Sequence, residues 1–85
     1  KTNTYQIGIK AANLQLLKQD LERKFKSTPA HFKSLEEAVK LNIRLEQHET
    51  PNHLLQYLTS KGEVFHFTEL LPTVNDIFIK AINSN

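Results

Sequence analysis

Four histidines, nine carboxylates and eleven lysines and arginines are the groups in this 85-residue chain that could do acid–base, metal or electrostatic chemistry. The tightest cluster is His48-Glu49-Thr50-Pro51-Asn52-His53. Its two imidazoles lie five positions apart with a carboxylate between them, but Pro51 breaks any helix they would share. The loop could wrap a metal; the simpler reading is a solvated loop. His66 lies inside an apolar run, Val64-Phe65-His66-Phe67. If Phe65 and Phe67 pack under helices, His66 points out on the open face of a sheet, as a surface histidine. The pairs Glu36-Glu37 and Glu46/Glu49 read as solvated turn charges rather than an acid/base couple.

Other chemistry has little to draw on. Ser27, Ser34, Ser60 and Ser84 lie outside any nucleophile elbow. Gly8 and Gly62 are the only glycines, so there is no glycine-rich loop to cradle phosphates. The chain has no cysteine, which excludes disulfides and thiolate zinc sites and suits a reducing compartment. No catalytic, cofactor-binding or metal-binding residue is assigned, and this fragment is expected not to be an enzyme.

Charge is uneven. The net charge is +2, with seven cations and two acids up to Lys33 and four cations and seven acids from Ser34 onward. Arg23, Lys24 and Lys26 come late in an expected helix, where cations complement the helix dipole. A net +2 is too small to argue for nucleic acid. No apolar run approaches the roughly 20 residues of a membrane span. Neither nucleic-acid binding nor direct membrane insertion is expected. The chain starts at Lys1 rather than Met and is read as one domain, residues 1–85, cut from a longer protein.

The elements that must position these groups follow from hydrophobic period. Tyr5, Ile7 and Ile9 alternate with Gln6 and Gly8, which predicts a half-buried strand. Asn13 is an N-cap for a helix over 14–25, whose Leu14, Leu17, Leu21 and Phe25 form one stripe. Ser27-Thr28-Pro29 ends that helix. Residues 30–35 are read as a short strand with Phe32 inward and 34–38 as a hairpin turn, although Ser34 and Glu37 also make a capping box. Val39, Leu41, Ile43 and Leu45 alternate with polar residues and predict a strand. Thr50-Pro51 starts a helix with Leu54, Leu55 and Leu58 on its apolar face. Gly62 caps it, on the ground that glycine tolerates the left-handed conformation. The Val64–Phe67 run is the last strand, and Leu71-Pro72-Thr73 starts a final helix capped by Thr73 and Asp76, with Val74, Ile77 and Phe78 on its buried face.

The order is that of an α+β, ferredoxin-like βαββαβ fold: an antiparallel sheet with two helices on one face, plus a C-terminal helix. Domains of this topology that bind RNA carry aromatics on the exposed side of their central strands. The corresponding positions here are Gln6, Gly8, Asn42 and Arg44, and Tyr5 falls on the buried parity.

The C-terminal third carries a more specific pattern. Leu54-Leu55-x-x-Leu58, Lys61-Gly62-x-Val64-x-x-Phe67 and Pro72-Thr73-Val74-Asn75-Asp76-Ile77-Phe78 together resemble the small accessory domain of unknown function at the C-terminus of many bacterial ABC transporter ATP-binding proteins. Thr73 stands where that family usually has Ser, Val74 where it has Leu, and the hairpin lacks the family's common Asp-Gly turn. The resemblance gives Gly62, Pro72, Thr73, Asp76, Ile77 and Phe78 a structural role, not a catalytic one. It implies a parent ATPase that carries the ATP and magnesium chemistry upstream. It places the domain on the cytoplasmic face of the membrane through the parent transporter. Its partners would be the parent nucleotide-binding domain and the permease, or a second copy in a homodimer. The alternative is a stand-alone ferredoxin-like domain that senses a small molecule. Such sites use glycine-rich turns after the first strand, where this chain has Lys10-Ala11-Ala12-Asn13. A third possibility is a purely structural fragment.

Overall fold

The computed structural model describes residues 3–71. Six elements run in the order β1 (Thr4–Lys10), α1 (Leu14–Lys24), β2 (Lys26–Pro29), β3 (Val39–Arg44), α2 (Pro51–Lys61) and β4 (Glu63–Leu70). The four strands form one antiparallel sheet in the order β2-β3-β1-β4. This is the expected α+β, ferredoxin-like arrangement. The expected C-terminal helix, with Pro72, Thr73, Asp76, Ile77 and Phe78, lies outside the described residues. No helix among the described residues is long and apolar enough to cross a membrane.

Both helices begin where side-chain oxygens satisfy free backbone donors. Asn13 Oδ1 accepts from the Leu16 N–H at 3.0 Å, and Thr50 Oγ1 from the His53 N–H at 3.1 Å, with Pro51 as the first helical residue. Leu17 and Leu21 of α1 and Leu54 and Leu58 of α2 are buried in one cluster with Ile7, Ile9, Val39, Leu41 and Ile43. Those strand residues share one parity, so both helices cover the same sheet face. Burying each large aliphatic side chain contributes about 2 kcal/mol, and this layer holds the fold together. Leu55, expected on the apolar face of α2, lies at its margin and is exposed.

The second strand is a correction. Helix α1 ends at Lys24, and its C-cap Phe25 is already extended, so the chain passes straight into β2 at Lys26. Ser27, Thr28 and Pro29 therefore form most of a strand rather than a helix terminator. The strand is legible only through its partner: it pairs Lys26 with Arg44, Ser27 with Ile43, Thr28 with Asn42 and Pro29 with Leu41. A proline without an N–H is tolerated there because β2 is a sheet edge. Residues 30–38, partly expected as strand, form a loop, and Phe32 does not enter the core.

Gly62 does cap α2, its N–H donating to the Leu58 carbonyl at 3.0 Å, but not for the expected reason. Its backbone is extended, with φ −175° and ψ −160°. What requires glycine is space: a Cβ there would run into the backbone carbonyl oxygen of Lys10. The chain leaves α2 tight against the end of β1 and enters β4, whose Glu63 pairs with Lys10 and whose Leu70 pairs with Thr4.

Candidate functional site

The sheet face away from the helices is where sequence and structure diverge most. Gln6, Gly8, Lys10, Lys40, Asn42 and Arg44 occupy the open parity of the two central strands, as alternation requires. Aromatic side chains nevertheless reach this face from two other places. Along β4 the pairing with β1 runs from Gly8↔His66 to Ile9↔Val64 and skips Phe65. One extra residue inserted into a strand puts two neighbouring side chains on one side. Val64 and Phe67 pack toward the helices, with Phe67 stacked on Tyr5 at 5.3 Å. Phe65 turns to the open face beside His66. The condition set for an outward His66, with Phe65 and Phe67 both under the helices, is met by Phe67 alone, and His66 lies on the open face.

The second source is the loop over 30–38, which folds back across the open face. Phe32 stacks on His66, with ring centroids 4.1 Å apart and planes inclined by 20°, and meets Phe65 at 6.4 Å. Lys40 Nζ holds the loop by donating to the Phe32 carbonyl at 2.6 Å. Farther along, Lys10 Nζ donates to Glu36 Oε1 at 3.0 Å, with Glu63 Oε1 4.0 Å away. The hydrogen bond to Glu36, then the charges of Glu36 and Glu63, raise the Lys10 ammonium above the ordinary lysine range. Ser34 Oγ donates to the Glu36 carbonyl at 2.7 Å and tightens the tip. This hydroxyl, which could also have opened a capping box, serves the turn over 34–38. His66 Nε2 lies 2.9 Å from Gln6 Oε1, within hydrogen-bond distance, which ties the imidazole to β1.

Gly8 lies beneath the aromatics. A Cβ at Gly8 would come within 2.8 Å of Phe65 Cζ, 2.9 Å of Phe32 Cζ and 3.1 Å of His66 Cβ. The absent side chain is what lets the rings close on the backbone of β1. Between them lies a cleft of about 430 Å³, walled by Phe32, Phe65 and His66 and rimmed by Lys10, Lys33 and Glu36. Leu35, at the loop tip, borders it and is fully exposed at 106%, and Phe65 is 40% exposed. The cleft can accept an apolar side chain and flank it with both signs of charge.

The other groups singled out in the sequence do not converge. His48 and His53 have no third ligand beside them: among the described residues no group of three His, Asp or Glu side chains could hold a metal. Glu49 Oε1 accepts from the Glu46 N–H at 2.7 Å, closing the turn before α2. Glu46 pairs with Lys26 at 2.9 Å, and that hydrogen bond and charge lower its carboxyl below the ordinary range. Of the residues to which the resemblance gives a structural role, Gly62, Pro72, Thr73, Asp76, Ile77 and Phe78, only Gly62 lies within the described residues.

A family model described as "ATP-binding protein DrrA1-3-like, C-terminal domain" matches residues 1–82. The chain belongs to this family. The motif resemblance and the match over nearly the whole chain thus agree on the C-terminal domain of ABC-type ATP-binding proteins. Searches of curated proteins and of solved structures returned no match. In this DrrA1-3-like domain, periodicity alone missed the cleft. The signals that could have found it are a glycine inside an alternating strand and a surplus residue in Val64–Phe67, both of which mark close backbone approach or a bulge.

Proposed function

We propose that this domain is a non-catalytic accessory module of an ABC transporter ATP-binding protein, and that it acts by contact. Family membership over residues 1–82 carries the reading. The apolar cleft with the exposed Leu35 and Phe65 beside it supports it, because such a patch suits interaction with a protein surface. On this reading ATP and magnesium are bound and turned over by the parent chain. The module sits on the cytoplasmic side of the membrane with the parent nucleotide-binding domain and permease, and biases their contacts. A coupling of about 1–3 kcal/mol would change affinity at the coupled contact roughly 5- to 150-fold.

The test is removal of residues 1–85 from the full-length parent. ATPase turnover, transport and assembly with the permease are then measured. A change in any of the three with the catalytic domain still folded is expected. An unchanged parent by all three measures rejects the contact role. Titration calorimetry of the isolated 85-residue chain with ATP and magnesium should show no binding, and micromolar affinity would overturn the non-catalytic assignment.

A further inference from the structure

We propose that the groove between α1 and α2 at Tyr57 is a docking site for an acidic segment of a protein partner, whose carboxylates seat on Lys24 and Lys61. The inference rests on the contact role above and deepens it by naming the chemistry of the partner.

Three side chains converge there from two helices. Tyr57 and Lys61 lie one turn apart on α2 and share a face. Lys24 closes α1, and the next residue, Phe25, is buried edge-on against Tyr57 with ring centroids 5.7 Å apart. Both ammoniums therefore reach one ring: Lys24 Nζ lies 5.1 Å and Lys61 Nζ 5.4 Å from its centroid. Among the described residues Tyr57 is the only ring that two cations share. The cations next to Lys24 have counter-charges: Arg23 pairs with Asp20 at 3.5 Å and Lys26 with Glu46 at 2.9 Å. Among the described residues Lys24 and Lys61 have no ion pair, and the Tyr57 hydroxyl has no hydrogen bond.

Two like charges over one half-buried ring repel each other, and an anion between them offsets the repulsion. Asp20 is held by Arg23, and Glu22 borders a different cleft with Glu46 and Glu49. Helix α2 has no acidic residue. The groove has a volume of about 320 Å³ and is walled by Asp20, Arg23, Lys24, Tyr57 and Lys61. A concave space of this size suits side chains rather than a flat layer of lipid headgroups. The leucine stripes of both helices are buried against the sheet, so neither helix keeps the apolar face that settles into a membrane surface. A carboxylate in the groove accepts from both ammoniums and from the phenol, and charge complementarity selects the partner.

NMR titration of the 85-residue chain with hexaglutamate at low salt tests this. Shifts are expected at Tyr57, Lys24 and Lys61, with a Kd of about 1 mM or below, and they should vanish at about 1 M salt, where the screening length is about 3 Å. Lys24→Ala and Lys61→Ala should each weaken binding about fivefold. Lys24→Glu combined with Lys61→Glu should lose hexaglutamate and bind hexalysine instead. Lys33→Ala, at an exposed cation outside the groove, should change nothing. A cation that serves only the helix dipole would alter the unfolding midpoint and leave the titration as it is. No saturable shift at the three residues overturns the proposal, as does a loss in Lys33→Ala equal to that in Lys24→Ala. Inorganic phosphate that binds as tightly as hexaglutamate assigns the groove to small anions, and pelleting with phosphatidylserine vesicles that the double variant loses assigns it to a membrane; either result overturns the proposal. These measurements need neither the parent nor ATP, so their failure is distinguishable from an unchanged parent in the deletion experiment.

Discussion

The two faces of the sheet are built by different means. On the helix side, Ile7, Ile9, Leu41 and Ile43 alternate without interruption and meet leucine stripes from α1 and α2. The contacts among these residues follow from the period of their own elements. On the open side, the aromatic cluster depends on three departures from period: a glycine, a skipped residue and a loop that returns over the strands. Stability comes from the regular face, and a surface fit for recognition comes from the irregular one. Changes on the two faces should therefore be felt by different measurements.

The largest effect is expected from Leu58→Ala or Leu21→Ala. Both side chains are fully buried, and truncation should cost about 3 kcal/mol, read from the denaturant midpoint. A cost under about 1 kcal/mol would break the comparison, because the helix face would then not be the load of the fold.

The glycines sharpen it. Gly62→Ala drives a methyl against a backbone carbonyl and should destabilise by about 2 kcal/mol. Gly8→Ala meets mainly the tips of two phenylalanine rings, which can swing away. Its cost should be near 1 kcal/mol or less, with the change seen instead as altered ring-current shifts of His66 and Phe32. If Gly8→Ala unfolds the domain as readily as Gly62→Ala, the open face is part of the structural core.

Removing a cap gives a similar scale. Thr50→Ala should cost about 1 kcal/mol in unfolding free energy, and Thr50→Ser much less. Phe32→Ala should leave the unfolding midpoint nearly unchanged while limited proteolysis cuts the loop over 30–38 faster, because the loop loses its stack on His66.

How far the sequence discloses this molecule follows the same division. Asn13, Thr50 and Pro51 mark helix starts through local chemistry, and Ile7–Ile9 and Val39–Ile43 mark strands through period. Strand β2 escapes because Lys26-Ser27-Thr28-Pro29 is a solvated edge with no apolar alternation; it exists by pairing with β3. Phe65 escapes because its side is set by the register between β1 and β4, a relation between residues far apart in the chain. Phe32 escapes because nothing near it says which surface a nine-residue loop will cover. The cleft is legible only as a set of exceptions, Gly8 chief among them.

The smallest expected effect concerns Glu46. Its carboxyl is lowered by the hydrogen bond and charge of Lys26. A group with a depressed folded-state value stabilises above its unfolded value, and that contribution is lost as pH falls through the folded one. The titration of Glu46 by NMR should move back to the ordinary glutamate range in Lys26→Ala and at high salt, with little change in midpoint because the pair is exposed.

The pairing of Thr4 with Leu70 has a mechanical consequence. The chain enters β1 and leaves β4 at the same end of the sheet. Tension applied between these two points acts along the hydrogen bonds that join the strands, which in an antiparallel pair lie across the strand axes. The bonds are then broken one after another, as in a zipper, rather than all together in shear. Four residue pairs, from Thr4–Leu70 to Ile7–Phe67, separate before Gly8 and His66 are reached. A modest pull on the two ends strips β4 from the sheet and takes the Phe65 wall of the cleft with it, while β1, β3 and α1 remain packed.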